Sequence, residues 1–247
     1  MKNLYILGWI FCFMLTFAND QVAIVTKSSG KVEYKKYSEQ KLTQGLQIGS
    51  SLFIDDEIQT GSDGYLIFVY LDDKSMVKVQ NDTKLVVKGN SDSNSIIKQI
   101  NIKNGQMKLN IPKQKKGQFT IVSPTSVASV KGTKFWVDID EIDGDQFFGL
   151  EGIVEIRNLI SGDIVLMEAN ITTTSLPSGT IDIAPTVPNE VPLDMNEGDS
   201  DEEFEEDFEQ DSETNQETDD STDTEGELEI KLQNQSGEEK KIIIRYK

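Results

Sequence analysis

Carboxylates are the side chains that come in groups along this chain. Asp55-Asp56-Glu57, Asp72-Asp73 and the run Asp138, Asp140, Asp143 and Asp145 around Gly144 all lie ahead of the acidic C-terminal stretch. Oxygens clustered at short spacing suit calcium, which takes about six to eight of them. The last run has the alternation of a calcium loop, yet the liganding glutamate expected further on is out of register. Turn residues and solvated faces between strands are the plainer reading. A glycosidase needs two carboxylates at a fixed separation across a cleft, and no spacing here selects such a pair. Ser123 and Ser126 precede Lys131 and Lys134, from which a serine-lysine dyad is conceivable, although lysines on strand faces more commonly solubilise. The sequence has no histidine, so a serine triad in its usual form and the commonest general base are both missing. Tyr65, Phe68, Tyr70, Phe135, Trp136, Phe147 and Phe148 would line a sugar or peptide groove, or, at strand spacing, pack in a core. These residues point to no catalytic set, no metal site and no cofactor, and an enzyme is not expected.

What must position these groups is bounded by composition. The 247 residues carry a net charge of −19, and the acidity is concentrated: Asp194 to Glu229 contains no Lys or Arg, while the preceding stretch is nearly balanced. Nucleic acid is therefore not an expected partner. The single cysteine, Cys12, lies in the first twenty residues, so a scaffold stapled by disulfides is excluded. Lys2 precedes an apolar run, Leu4 to Phe17, that closes on Thr16-Phe17-Ala18. That is the pattern of a secretory signal peptide over residues 1–18, cleaved after Ala18. The run is short of the roughly 20 residues a spanning helix needs, and no later segment is apolar enough to serve. Phe11 in front of Cys12 argues against a lipoprotein site.

From Gln21 the pattern has period two. Val22, Ile24, Val32 and Tyr34 read as a hairpin with a turn at Ser28-Ser29-Gly30. Ser51 to Ile54, Glu57 to Thr60, Tyr65 to Leu71 and Met76 to Val79 are strand-like runs, continued by Leu85 to Lys88, Ile96 to Ile102 and Met107 to Ile111. Gly89-Asn90-Ser91 is a turn signal between them. Phe119 to Val137, FTIVSPTSVASVKGTKFWV, reads as two short strands meeting at a corner, with Gly132 where the backbone turns or lies close to another strand. Further strands are expected at Phe147 to Leu150, Ile153 to Arg157 and Ile164 to Glu168, with one or two more between Ile171 and Ile183. No helical periodicity persists beyond about two turns before residue 190. The expected fold is all-β, a solenoid-like or rolled β-domain of short strands over residues 19–184.

Pro185, Pro188 and Pro192 signal an exit from regular structure. Residues 185–226 are expected to be a Pro-containing and then acidic disordered linker, too poor in apolar residues to offset ordering entropy. Phe204 and Phe208, four apart, would form a short recognition helix or simply sit in an entropic tether. Residues 227–247, ELEIKL and KIIIRY joined by NQSGEE, read as a C-terminal β-hairpin. An isolated hairpin is marginal in water, so it is expected to dock on a sheet edge of its own domain or of a partner, and Leu228, Ile230, Leu232, Ile242, Ile244 and Tyr246 are candidate partner-binding residues, together with Phe204 and Phe208.

With these residues laid out, the chain resembles the FecR domain family over roughly residues 22–168. GLQIGSSLFIDDEIQTGSDGYLIFVYL is similar to the family's G-x-x-L-x-x-G-D-x-I-x-T-G-x-x-G pattern. LDDKSMVKV resembles its D-G-S-x-V-x-L strand, and NDTKLVV and GQMKLNI resemble later strands. SPTSVASVKGTKFWV resembles the T-P-x-A-x-A-V-R-G-T-x-F-x-V signature, and LEGIVEI the closing x-E-G-x-V-x-V. The matched positions, Gly49, Asp56, Thr60, Gly61, Gly105, Pro124, Val130, Lys131, Gly132, Thr133, Phe135, Glu151 and Gly152, are read as structural. Ser50-Ser51 stands where an acidic residue usually follows the glycine, and Lys131 where Arg is usual.

The resemblance implies an all-β, solenoid-like or rolled domain of a bacterial exported or envelope protein, periplasmic, cell-surface or extracellular; with no catalytic set in the sequence, protein-protein or surface binding without catalysis is the first expectation. Its partner is an unknown protein or envelope component, and the mature chain is expected to have no transmembrane helix. Some members of the family are signal regulators with a cytoplasmic anti-sigma segment, so a component of envelope signalling lacking that segment is a second reading. A calcium- or carbohydrate-binding module is a third.

Overall fold

The computed structural model describes residues 21–92, 95–114, 117–195, 226–233 and 239–246. Strands dominate, and among the described residues the one helical element is a 3-10 turn, Pro188–Glu190. The fold is all-β, as the period-two pattern requires.

The chain winds between two layers. β1 (Gln21–Ser29) lies in the first, and β2 (Val32–Lys35) and β3 (Thr43–Gln44) lie in the second. β4 (Ser51–Phe53) returns to the first layer, and β5 (Glu57–Thr60) to the second. β6 (Tyr65–Tyr70) and β7 (Met76–Val79) form a hairpin in the first layer, and β8 (Lys84–Asp92) crosses back. β9 (Ser95–Ile111) belongs to both. Beyond it, β10 (Phe119–Val122) and β11 (Ser126–Val130) lie in the second layer, and β12 (Thr133–Asp140) and β13 (Gly144–Glu151) in the first. β14 (Ile153–Asn158) and β15 (Ile164–Glu168) complete the second layer, and β16 (Ile171–Ser175) and β17 (Ile181–Pro185) complete the first.

Pairing gives the first layer the order β4-β1-β6-β7-β9-β12-β13-β16-β17. The second runs β3-β2-β5-β8-β9-β10-β11-β14-β15. Among the described residues, only β9 and β10 pair in parallel.

β9 divides the stack. Its first half sets Ile100 between Val87 of β8 and Ile121 of β10, and its second half sets Leu109 between Val77 of β7 and Phe135 of β12. The change of layer falls at Gly105, whose φ of 101° favours glycine. A Cβ there would lie 2.3 Å from the Thr83 hydroxyl oxygen. The runs expected as separate strands at 96–102 and 107–111 are therefore one continuous strand.

Three other sequence readings change. β1 and β2 do not form a hairpin: β1 pairs with β4 and β6, β2 with β3 and β5, and the turn at Gly30 is a corner between layers. Gly89-Asn90-Ser91 does not turn, because β9 pairs with β8 out to Asp92 and Ser95. Phe119 to Val137 yields three strands rather than two, since β10 and β11 already fold on each other around Pro124.

Between the layers lies one apolar core, including Leu66, Phe68, Ile100, Leu109, Ile121, Phe135 and Phe147. Each such fully buried side chain contributes about 1.5–3 kcal/mol of burial free energy. Apart from the stack, β18 (Gly226–Gln233) and β19 (Glu239–Tyr246) pair as an antiparallel hairpin, with Leu228 opposite Ile244 and Ile230 opposite Ile242.

Candidate interaction surfaces

The residues singled out as a signature sit mainly where the chain passes from one layer to the other. Asp56, buried at the β4-β5 crossing, accepts a hydrogen bond from the Phe53 N–H at 3.0 Å. Burial pushes its carboxyl up, against the pull of backbone N–H groups at Phe53 and Tyr37. The Thr60 hydroxyl donates to the Gln80 carbonyl at 2.6 Å and accepts from the Thr83 N–H at 2.9 Å. Gly61 N–H donates to the Lys31 carbonyl, and Gly49 N–H to that of Val25. Val130 and Phe135 belong to the core.

Lys131-Gly132-Thr133 and Glu151-Gly152 are two further crossings, and they touch. A Cβ on Gly152, where φ is 76°, would lie 2.6 Å from the Gly132 carbonyl oxygen. These crossings line a shallow depression of about 570 Å³ together with Lys113 and Lys134. Its lining is mixed: three lysines and Glu151 stand beside Asn110, Ile111, Pro112, Thr133 and Ile153.

The carboxylates do not converge. Asp138 points away from the core, since Val137 and Ile139 point in, and it accepts from Gln106 Nε2 at 2.8 Å. Asp140 closes the β12-β13 turn by accepting from the N–H groups of Ile142 and Asp143, which hold its carboxyl below the usual range. Asp145 is fully buried on the inner side, where Ser123 Oγ donates to its Oδ2. Its Oδ1 has no hydrogen-bond partner among the described residues. Burial pushes its carboxyl up, opposed by the hydroxyls of Ser123 and Ser126. Ser123 is thus engaged with an acid, not with Lys131 or Lys134.

At the opposite end of the core, the buried Lys98 ammonium meets Asp72 at 2.9 Å and Asp73 at 2.5 Å, with its charge 5.8 Å from the Tyr70 ring centre. Burial pushes the Asp72 carboxyl up. For Asp73 burial acts the same way but is outweighed by donors on Lys98, Ser75 and Gln114, so that its carboxyl lies below the usual range.

The aromatic residues divide between two faces of the first layer. Phe68, Tyr70, Phe135 and Phe147 point into the core. Tyr65, Trp136 and Phe148 alternate with them and point outward, yet they too are buried. The chain after β17 returns along this outer face. Asp194 lies 3.2 Å from the Lys78 ammonium and 3.5 Å from that of Lys108, and it accepts from the Tyr65 hydroxyl at 3.4 Å. Lys108 also lies 5.8 Å from the Trp136 ring centre, and Met195 N–H donates to Gln80 Oε1. Sequence reading gave no hint of this role, because Asp194 looked like the first residue of an acidic run.

At the C-terminal end of the stack, no strand among the described residues pairs with the far side of β15. On β14 and β15 the outward rows are Ile153 beside Glu168, Glu155 beside Leu166, and Arg157 beside Ile164. Leu166 is 62% exposed and Ile164 48%. In the first layer β17 pairs Ile181 and Ile183 with Ser175 and Thr173, both fully buried on the core side. Ile183 therefore faces the core side as well, yet it is 53% exposed.

The family model described as FecR protein matches residues 56–155, from the β4-β5 crossing into β14. The chain carries a FecR domain. Two crystal structures, at 2.50 Å and 1.65 Å, of a protein from Parabacteroides distasonis ATCC 8503 described as a "putative anti-sigma factor" are similar to this chain at 17% identity, with a TM-score of 0.44. The match covers 52% of this chain and 59% of theirs, so the chain spans little more than half their length. No curated protein matches the chain.

The FecR match is narrower than the resemblance read from residues 22–168. It contains Asp56 through Gly152 of the signature residues, while Gly49 lies outside it. Within the FecR domain the signature residues hold crossings, turns and core. The candidate partner-binding residues Phe204 and Phe208 lie outside the described residues. Leu228, Ile230, Leu232, Ile242, Ile244 and Tyr246 all fall on the β18-β19 hairpin. No helix among the described residues is long and apolar enough to cross a membrane.

Proposed function

We propose that this chain is a non-enzymatic, exported envelope protein whose FecR domain works by binding another protein at its open C-terminal end. The observation that carries the reading is β15. Natural sheets protect their edges with very short strands, proline or charge. β3 and β4 are two and three residues long, and β17 carries Asp182 and Pro185. β15 has five residues, no proline, and Ile164 and Leu166 turned to solvent. Edge-strand addition draws on main-chain hydrogen bonds and needs no special side chains, which fits a domain whose signature residues hold chain crossings.

The test is cross-linking capture from the native cells with the full chain and with an Ile164→Lys/Leu166→Lys variant. A protein captured by the natural chain and lost from the variant, at unchanged melting temperature, supports the reading. Equal capture by both, or no protein partner at all, overturns it. The FecR match favours a second reading, a component of envelope signalling. Removal of the gene would then alter transcription from promoters of an extracytoplasmic sigma factor, and an unchanged transcript profile would sink that idea.

A further inference from the structure

We propose that the open end of the FecR domain is closed in the free chain by the chain's own C-terminal hairpin, with β19 laid antiparallel along β15. This rests on the reading of β15 as a strand acceptor and names what it holds.

Three features lead to this occupant. The first is main-chain phase. Asn158 N–H donates to the Asp163 carbonyl at 3.0 Å, and the β14-β15 register is unbroken from there. In an antiparallel ladder alternate residues bond to alternate sides. Asp163, Val165 and Met167 therefore turn their backbone groups to β14, and Ile164, Leu166 and Glu168 present theirs to the open side.

The second is a missing strand. Ile183 lies on the core side of β17 but is half-exposed, because the second layer ends at β15. A strand added to β15 in that layer would lie across from β17 and cover it.

The third is pattern. Placing Ile244 opposite Val165 and Ile242 opposite Met167 continues the inward apolar row, and the β18-β19 register brings Leu228 and Ile230 to the same face. The same placement sets Lys241 opposite Glu168 and Ile243 opposite Leu166 on the outward face. A shift of two residues, which keeps the same faces, sets Lys241 opposite Leu166 and Glu239 opposite Glu168, a like-charge pair that destabilises. Residues 196–225 separate Met195 from Gly226. Thirty residues reach up to about 100 Å, against a radius of gyration of about 16 Å for a domain of this size. A tethered strand also acts at an effective concentration on the order of millimolar.

The test is disulfide trapping in the full chain with Cys12→Ser, using Val165→Cys with Ile244→Cys. The expected result is a monomer with an intrachain disulfide. Val165→Cys with Ile243→Cys, on opposite faces, should stay reduced. Leu228→Cys with Ile244→Cys reports on the hairpin itself and should oxidise. A Val165-Ile244 pair that stays reduced overturns the proposal, whether or not the hairpin control oxidises. A disulfide-linked dimer overturns it in favour of a second copy as occupant. If trapping fails while Ile164→Lys/Leu166→Lys still abolishes capture, the hairpin assignment falls and the edge reading stands.

Discussion

The Asp194 carboxylate lies 3.2 Å from the Lys78 ammonium, and the two side chains are only 4% and 5% exposed. The pair joins the segment after β17 to the outer face of the first layer, 116 residues away in sequence. Lys108 is on the same carboxylate at 3.5 Å.

Removing one partner of a buried ion pair leaves the other charge uncompensated, which costs about 3–5 kcal/mol. Asp194→Ala should therefore destabilise the domain by about that much in denaturant titration. Replacing both, as Asp194→Leu with Lys78→Met, should recover a large part of the loss. Equal losses in the single and double variants would show that the charge on Lys78 is not the cause.

Gly105 and Gly49 both have positive φ, 101° and 85°, but only Gly105 is crowded. Gly105→Ala should lose the backbone term of about 1–3 kcal/mol and a steric term from the Thr83 side chain besides. Gly49→Ala, with nothing within 4 Å of the added Cβ, should lose the backbone term alone. The difference in unfolding midpoint between the two alanine variants measures the crowding.

Asp145 gives a pH dependence whose sign follows from burial. Its folded-state carboxyl titrates above the unfolded one, so its contribution is full below the unfolded value, near 3.9, and is lost as pH rises through the folded value. Asp145→Asn keeps a neutral acceptor for Ser123 and should melt higher than the natural chain at pH 7. That advantage should shrink as pH falls toward 4. An Asn variant that is less stable at pH 7 would contradict this account.

Asp73 runs the other way. Its carboxyl is held below the usual range by Lys98, Ser75 and Gln114, so its contribution is present above the unfolded value and lost as pH falls through the folded one. Lys98→Met removes the buried cation shared with Asp72. The variant should be strongly destabilised at pH 7 and should lose less than the natural chain on acidification, by circular dichroism melts at pH 3.5 and 7.

Much of the fold was legible because period-two alternation reports one buried face at a time. Met76 to Val79 and Glu57 to Thr60 were read with the boundaries that β7 and β5 have. Pairing was not legible. A chain that changes layer at Gly30 and one that doubles back there have the same alternation, and only the distant partners of β1 and β2 decide between them. Gly105 looked like a break between strands, since a glycine that ends a strand and one that lets it bend are the same letter. The glycines, Thr60 and Asp56 of the signature were visible as motifs, but their shared role at crossings needs the three-dimensional stack. Asp194 left no local trace, because its partners Lys78 and Lys108 lie far upstream.

β9 has one more consequence. Among the described residues, every pairing that ties β1 to β8 with β10 to β17 runs through it. The strands made first have no finished margin until it emerges, and the later ones have nowhere to attach without it. Assembly must wait for contacts distant along the polypeptide, which slows folding, and after a single cleavage within those residues the two fragments would be joined only by the ladders of β9 itself and the shared core.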